Sequence, residues 1–207
     1  MVQAIQAKNV TLRTLIDGFG ICLVEDSAFF LEWKQNLPEV SDLDKQQLDR
    51  IKAGFVNLLE YMPLLEGVIR MSVVDPLLFL VGFYLPPFYV RSEPSIQIQT
   101  EDEGIIITGS LDALVLKNKL WVLVVESKRA SYSVEAGLAK ILAYMLASPN
   151  QNQPCYGMIS SGGSFMFVKL VKGNPPQYAV SKLFGIRESG DLYNVFAILK
   201  RFGELVE

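Results

Sequence analysis

Residues 109–129 read GSLDALVLKNKLWVLVVESKR, and this stretch decides the fold of the chain. Its segment Leu120–Val125 is almost wholly apolar, which is typical of a strand buried on both faces of a sheet. Leu111–Leu116 predicts a second strand, and Lys117-Asn118-Lys119 between the two predicts a turn. The stretch therefore predicts an antiparallel hairpin whose second strand lies inside a sheet.

Helical and extended patterns alternate on both sides of this hairpin. Downstream we expect a helix at Val134–Leu146 and a strand pair at Tyr156–Ile159 and Phe165–Leu170. A further strand at Val180–Leu183 and a closing helix at Asp191–Leu205 are expected after them. Upstream we expect a short helix at Val10–Ile16, a helix at 41–62 that Ser41 caps, and a helix at 63–76 that starts at Pro63 and bends or ends by Pro76. Two strands are expected after them, at Ile96–Ile98 and Ile105–Ile107. This order predicts an α/β or α+β fold with a mixed central sheet flanked by helices.

Composition excludes several classes of chemistry. The chain has 207 residues, half of them hydrophobic, with a formal charge of -3 and no histidine. Ser–His and Cys–His nucleophiles, histidine zinc sites and imidazole proton shuttles are therefore excluded. Cys22 and Cys155 stand far apart, so we expect two reduced thiols rather than a redox or zinc motif. Any catalysis must come from carboxylates, lysine, arginine, tyrosine, serine or a metal bound by carboxylates.

No segment predicts a membrane location. Residues 1–10 are polar and lack the charged and apolar regions of a secretory signal. Met71–Val90 contains a single charge, Asp75, but three prolines interrupt it, which argues against a continuous spanning helix. We therefore expect a soluble, cytoplasmic protein without a membrane partner.

The end of the buried strand carries the candidate chemistry. Glu126 and Lys128 follow the apolar run two residues apart, so both point to the same face of the sheet. A hairpin about Asn118 brings Asp112 to the same end, and a carboxylate within an apolar strand needs a partner or a metal. Magnesium prefers such oxygen ligands, and a neighbouring lysine can orient a water or offset charge on a phosphate.

These residues resemble the motif of the PD-(D/E)xK nuclease superfamily, namely Asp112 followed by Glu126-Ser127-Lys128 at the end of an apolar strand. Residues 65–84 and 154–168 are similar to segments of the N-terminal nuclease domain of type I restriction-enzyme subunits. The resemblance covers roughly residues 60–172. It implies a restriction-endonuclease-like sheet, a helix glutamate at Glu66, and a substrate-facing helix at Lys140 and Tyr144. The family usually has glutamine where this chain has Lys140.

The resemblance implies metal-dependent hydrolysis of DNA phosphodiester bonds. Glu66, Asp112 and Glu126, with the carbonyl of Ser127, are the implied ligands of Mg²⁺, for which Mn²⁺ could substitute. Lys128 would assist the attacking water, and the implied substrate contacts are Arg129, Lys140 and Tyr144. Residues 1–60 would form a helical N-terminal extension packed on a nuclease-like domain of residues 61–207. The expected partners are DNA and a homodimer or a larger restriction or repair assembly.

Other interpretations of the same residues stay open. The fold could serve as a nucleic-acid-binding or assembly module that does not cut, an alternative favoured by Lys140. The protein could also be a plain interaction protein, in which Glu126 and Lys128 would not converge with Asp112. Glu66 and Arg129 could simply be solvated, and Tyr144 could be a core residue. Residues 1–125 carry a net charge of -6 and residues 126–207 a net charge of +3, so DNA would approach the second part.

Overall fold

A computed structural model describes residues 3–92, 94–99, 105–129, 133–150 and 153–205. It contains a large mixed sheet whose strands are β2 (Cys22–Leu23), β3 (Phe88–Ser92), β6 (Ala113–Lys117), β7 (Leu120–Ser127), β8 (Cys155–Ser160), β9 (Ser164–Val171), β10 (Gln177–Val180) and β11 (Phe184–Gly185). A smaller sheet consists of β1 (Gln3–Gln6), β4 (Ser95–Gln99) and β5 (Ile105–Ser110). The strand orders are β2-β10-β9-β8-β7-β6-β3, with β11 also pairing β9, and β1-β5-β4.

The helices are α1 (Leu12–Phe19), α2 (Asp42–Leu58), α3 (Glu66–Ile69), α4 (Asp75–Val81), α5 (Leu138–Leu146) and α6 (Asp191–Leu205). A π-helical turn, Arg70–Val74, joins α3 to α4, and short 3-10 turns occupy Ala7–Asn9, Leu59–Tyr61 and Val134–Gly137. Within the described residues, no helix combines the length and apolar character that crossing a membrane requires.

The large sheet is the middle layer of three. Because side chains alternate along a strand, Val125 of β7 packs in one hydrophobic cluster while Val124 packs in another. The first cluster contains residues of α2, α4 and α6, and the second contains residues of α1, α5 and the small sheet. The predicted α/β fold with a mixed sheet flanked by helices is therefore confirmed.

The central hairpin forms as its sequence predicts. Strands β6 and β7 are antiparallel, and Asn118 and Lys119 between them have φ values of 50° and 70°. Two positive φ values are typical of the tight turn whose twist matches that of the flanking strands. Strand β7 pairs in parallel with β8 on its other side, so both edges of β7 are hydrogen-bonded.

Helix boundaries follow capping more closely than proline positions. Ser41 caps α2 as predicted, and its hydroxyl accepts a hydrogen bond from the backbone N–H of Asp44. The prediction that a helix starts at Pro63 is wrong, since α3 starts at Glu66. The predicted bend by Pro76 is the π turn Arg70–Val74, and Pro76 is the second residue of α4, which continues directly from that turn.

Two strand predictions also need correction. Asp112 lies in a bend before β6 rather than inside a strand, because its side chain accepts a hydrogen bond from the end of β7. The strand predicted at Val180–Leu183 is β10, which ends at Val180. The ladder then stops, because Ser181 turns its hydroxyl and N–H to Phe167 of β9.

Residues before 60 contribute strands β1 and β2 as well as helices, and they pack on both sides of the large sheet. Leu15 lies in the cluster that contains α5, and Phe30 lies in the cluster that contains α6. An ion pair of 2.6 Å between Lys169 on β9 and Glu32 fastens the segment after β2, and Lys169 also donates to the carbonyl of Phe29. The side chains of Lys169 and Glu32 are only 11% and 19% exposed, so the pair is largely shielded from water.

We expect Lys169→Met to lower the free energy of unfolding by about 2–3 kcal/mol, because it leaves the Glu32 carboxylate largely buried without its cation. Urea unfolding followed by circular dichroism measures the change. The matched control is Lys52→Met on α2, whose ammonium makes one long hydrogen bond to a carbonyl, at 3.4 Å; it should change the free energy by less than about 1 kcal/mol. Equal losses in the two variants would contradict the assignment.

Candidate active site

The motif residues meet at one end of the central hairpin. Ala113 pairs with Val125, so Asp112 and Glu126 continue the two strands at the same end. The Oδ2 atom of Asp112 accepts a hydrogen bond from the backbone N–H of Ser127. The bend before β6 is thus fastened to the end of β7, and Asp112 is brought beside the Glu-x-Lys segment.

Glu126 is the most deeply buried carboxylate of this group, with 1% of its surface exposed. Its Oε1 atom accepts hydrogen bonds from Nζ of Lys128 and from Nζ of Lys140, each at 2.7 Å. Lys128 follows β7 and Lys140 lies on α5, so the two ammonium groups reach the carboxylate from the sheet and from the helix. The side chains converge, contrary to the expectation for a solvated surface pair.

The other oxygen of Glu126 is unusual. Its Oε2 atom is buried and has no hydrogen-bond partner among the described residues, and the same is true of the hydroxyl oxygen of Ser127. The pKa of Glu126 is raised above its ordinary value, first because burial penalises the carboxylate and then because Asp112 is near, although both lysines act against the rise. A buried carboxylate oxygen without a donor is costly unless it has a further ligand to bind.

The position of Lys128 is fixed from several directions. Its backbone N–H donates to the carbonyl of Ser160 at 2.7 Å. The 3-10 turn before α5 lies close above it, since a Cβ on Gly137 would come within 3.2 Å of Cε of Lys128 and 2.9 Å of a methyl of Ile159. A side chain at Gly137 would therefore push against the floor of the site.

Asp75 belongs to the same acidic group, although the motif did not predict it. It starts α4 directly after the π turn, and its Oδ1 lies 3.8 Å from the guanidinium of Arg70. The pKa of Asp75 is raised by burial and by the charge of Asp112, while Arg70 lowers it. Asp75 therefore lies close enough to Asp112 for their carboxylates to interact electrostatically. The sequence signal was present, because Asp75 is the only charge in residues 71–90.

Glu66 is placed differently. It is exposed at the first position of α3, and within the described part of the chain its side chain makes no hydrogen bond or ion pair. The π turn lies between Glu66 and the acidic group. The structure thus brings together Asp112, Glu126, Ser127 and Lys128, and it adds Asp75 on the helix side where the resemblance implied Glu66.

The three predicted substrate contacts differ in burial and in the groups that they contact. Tyr144 is 2% exposed and donates its hydroxyl to the carbonyl of Ser110 at 2.8 Å. Its pKa is raised by burial and by the charges of Glu126 and Asp112. Lys140 lies one helical turn earlier with its ammonium 5.7 Å from the Tyr144 ring centre, and Arg129 is exposed. Tyr144 therefore supports the wall of the site, whereas Lys140 and Arg129 remain within reach of a ligand.

The donor types at this site fit a hard cation only in part. Asp112 and Glu126 supply the carboxylate oxygens that Mg²⁺ prefers, and the unpartnered Oε2 of Glu126 suits such a ligand. Across the described residues, however, no three side chains of the metal-binding types lie close enough to form a metal-binding group. Lys140 contacts Oε1 of the carboxylate whose Oε2 would face the ion, so its ammonium would lie close to a divalent charge.

Comparison with known proteins adds no relative. The chain matches no known family model, and no curated protein is significantly similar to it in sequence. Function must therefore be argued from the site itself. Its decisive feature is a buried carboxylate that binds two ammonium groups through one oxygen, while its other oxygen has no partner in the described part of the chain.

Proposed function

We propose that this protein is a metal-dependent nuclease that hydrolyses DNA phosphodiester bonds. The observation that carries the proposal is the convergence of Asp112, Glu126 and Lys128 at the end of a buried central strand. Within the described ranges, Oε2 of Glu126 has no hydrogen-bond partner there. A perturbed buried carboxylate with a charged partner at a strand end is typical of a catalytic site. The resemblance of the same residues to the PD-(D/E)xK motif supports this interpretation.

Each residue has a role in this proposal. Asp112 and Glu126 would hold Mg²⁺ or Mn²⁺, with Ser127 and the nearby Asp75 as further oxygen donors; Glu66 would need a rearrangement of α3 to join them. The ion would supply a bound water of lowered pKa and polarise the phosphate. Lys128, confined beside Glu126, would orient the attacking water and offset negative charge on the phosphate oxygens. Lys140 and Arg129 would contact the DNA backbone.

A second candidate function is a nuclease-fold module that binds nucleic acid or assembles with partners without cutting. One observation favours it. Arg70 lies beside Asp75, and both Lys128 and Lys140 contact Glu126. Within the described residues, the three carboxylates of Asp75, Asp112 and Glu126 are therefore balanced in number by three cations without a metal. A balanced group has less need for a divalent ion than one of uncompensated acids.

Plasmid nicking, together with cleavage of labelled single-stranded, duplex and branched DNA, tests the proposal. We expect cleavage with Mg²⁺ or Mn²⁺ and none with EDTA, because the carboxylates alone cannot activate water. Purified protein that binds these DNAs but cuts none of them under either metal would contradict the nuclease and favour the binding module. Cleavage that persists in EDTA would contradict the metal-dependent scheme.

A further inference from the structure

A cleft of about 310 Å³ opens beside the candidate active site. It lies between the turn after β1, the end of β5 and helix α5. Among its lining residues are Lys8, Thr108, Gly109, Ser110, Lys140 and Tyr144. Among the residues that the structure describes, none that lines the cleft is acidic, although the neighbouring active site contains several carboxylates. Its described lining thus carries two cations, Lys8 and Lys140, of which Lys140 is shared with Glu126.

The walls of the cleft are held by close packing. A Cβ on Gly109 would lie 2.6 Å from the hydroxyl of Tyr144 and 2.6 Å from Cβ of Ala7, so any side chain there would displace both walls. The hydrogen bond from Tyr144 to the carbonyl of Ser110 joins α5 to β5. The walls of the cleft are thus formed by backbone and by closely packed side chains, and the exposed Lys8 lies at its outer side.

Lys140 links the cleft to the active site. Its side chain lines the cleft, and its ammonium ends 2.7 Å from Oε1 of Glu126. An anion in the cleft and the carboxylate of Glu126 therefore share one lysine. A group bound in the cleft would therefore lie beside the carboxylate of Glu126, with Lys140 between the two.

We propose that the cleft binds one backbone phosphate of a nucleic-acid strand, next to the phosphate at the active site. Lys8 and Lys140 supply the cations, and the hydroxyls of Thr108 and Ser110 supply hydrogen-bond donors. The volume is at the small end of the range for ligand sites, which leaves room for a phosphate with its attached sugar. This inference rests on the proposed function because it takes the substrate to be nucleic acid.

The test uses Lys8, which lies outside the nuclease motif and is exposed, so that its replacement should not disturb folding. Binding of a short fluorescent oligothymidine strand is measured by anisotropy in EDTA, where no cleavage occurs. We expect Lys8→Ala to weaken binding by about 5-fold and to reduce the slope of log affinity against log salt by about one, with a larger loss for Lys8→Glu. The control Lys52→Glu lies on α2, across the large sheet, and should leave affinity within about 2-fold.

A second arm uses inorganic phosphate, measured by calorimetry on the same variants. Weaker oligothymidine binding in the Lys8 variants alone supports the inference. Unchanged oligothymidine binding in those variants overturns it, as does a cleft that binds inorganic phosphate but no strand. A protein that binds through Lys8 and never cuts DNA retains this inference and loses the proposed nuclease function. A protein that cuts, with normal binding in the Lys8 variants, retains the nuclease function and loses the cleft.

Discussion

Glu126→Gln is expected to reduce metal-dependent DNA cleavage by at least about 100-fold. Glutamine keeps the size of the side chain but removes the negative charge that faces Lys128 and Lys140, each 2.7 Å away. It also replaces a carboxylate by a neutral amide, which is a poor ligand for a hard cation. The initial rate of plasmid nicking, compared with that of the wild type at equal protein concentration, measures the loss.

A matched control lies on the 3-10 turn before α5. Glu135→Gln makes the same chemical change at an exposed position and should leave the nicking rate unchanged. Lys128→Met separates the roles within the site, because it should lose cleavage while still binding Mn²⁺, whereas Glu126→Gln should lose both. Full activity in Glu126→Gln would mean that the cleavage arises elsewhere in the protein or from a contaminant.

The central hairpin could be predicted because its determinants are local. Alternation places Glu126 and Lys128 on one face, and the turn at Asn118 sets the first pairs, Lys117 with Leu120 and Leu116 with Trp121. An irregularity between Val115 and Leu116 then shifts the register by one residue, so that Ala113 pairs with Val125, and this shift could not be predicted from the turn. The small sheet was predicted only in part. The alternating pattern indicates β4, but β1 becomes a strand because β5 offers it a parallel edge, and that pairing depends on tertiary contact.

The acidic residue on the helix could not be predicted from periodicity. A π turn at Arg70–Val74 adds to the helical period, and this shift sets the direction in which Asp75 points. The resemblance placed the helix acid at Glu66, but nothing in the local sequence marks where the extra residue enters. In the same way, the face of Lys140 could be predicted from α5, whereas its contact with Glu126 depends on how closely α5 packs on the sheet.

Lys140→Gln is expected to tighten the binding of Mn²⁺ by about 10-fold or more. The ammonium of Lys140 contacts Oε1 of the carboxylate whose Oε2 would hold the ion. A divalent ion and an ammonium about 4 Å apart repel each other by about 2 kcal/mol even in water-like surroundings. Glutamine removes the charge and restores the residue usual in the family that this motif resembles. Calorimetric titration of Mn²⁺ without DNA measures the change.

Lys52→Gln is the control for this prediction, since it removes the same charge from the opposite side of the sheet and should leave Mn²⁺ affinity unaltered. Equal affinity in Lys140→Gln and the wild type would show that Lys140 does not compete with the ion. The variant also separates the two candidate functions. If the wild type binds DNA without cutting it and Lys140→Gln cuts, then Lys140 itself holds the protein in the binding state, because its ammonium stands in for the metal on Glu126.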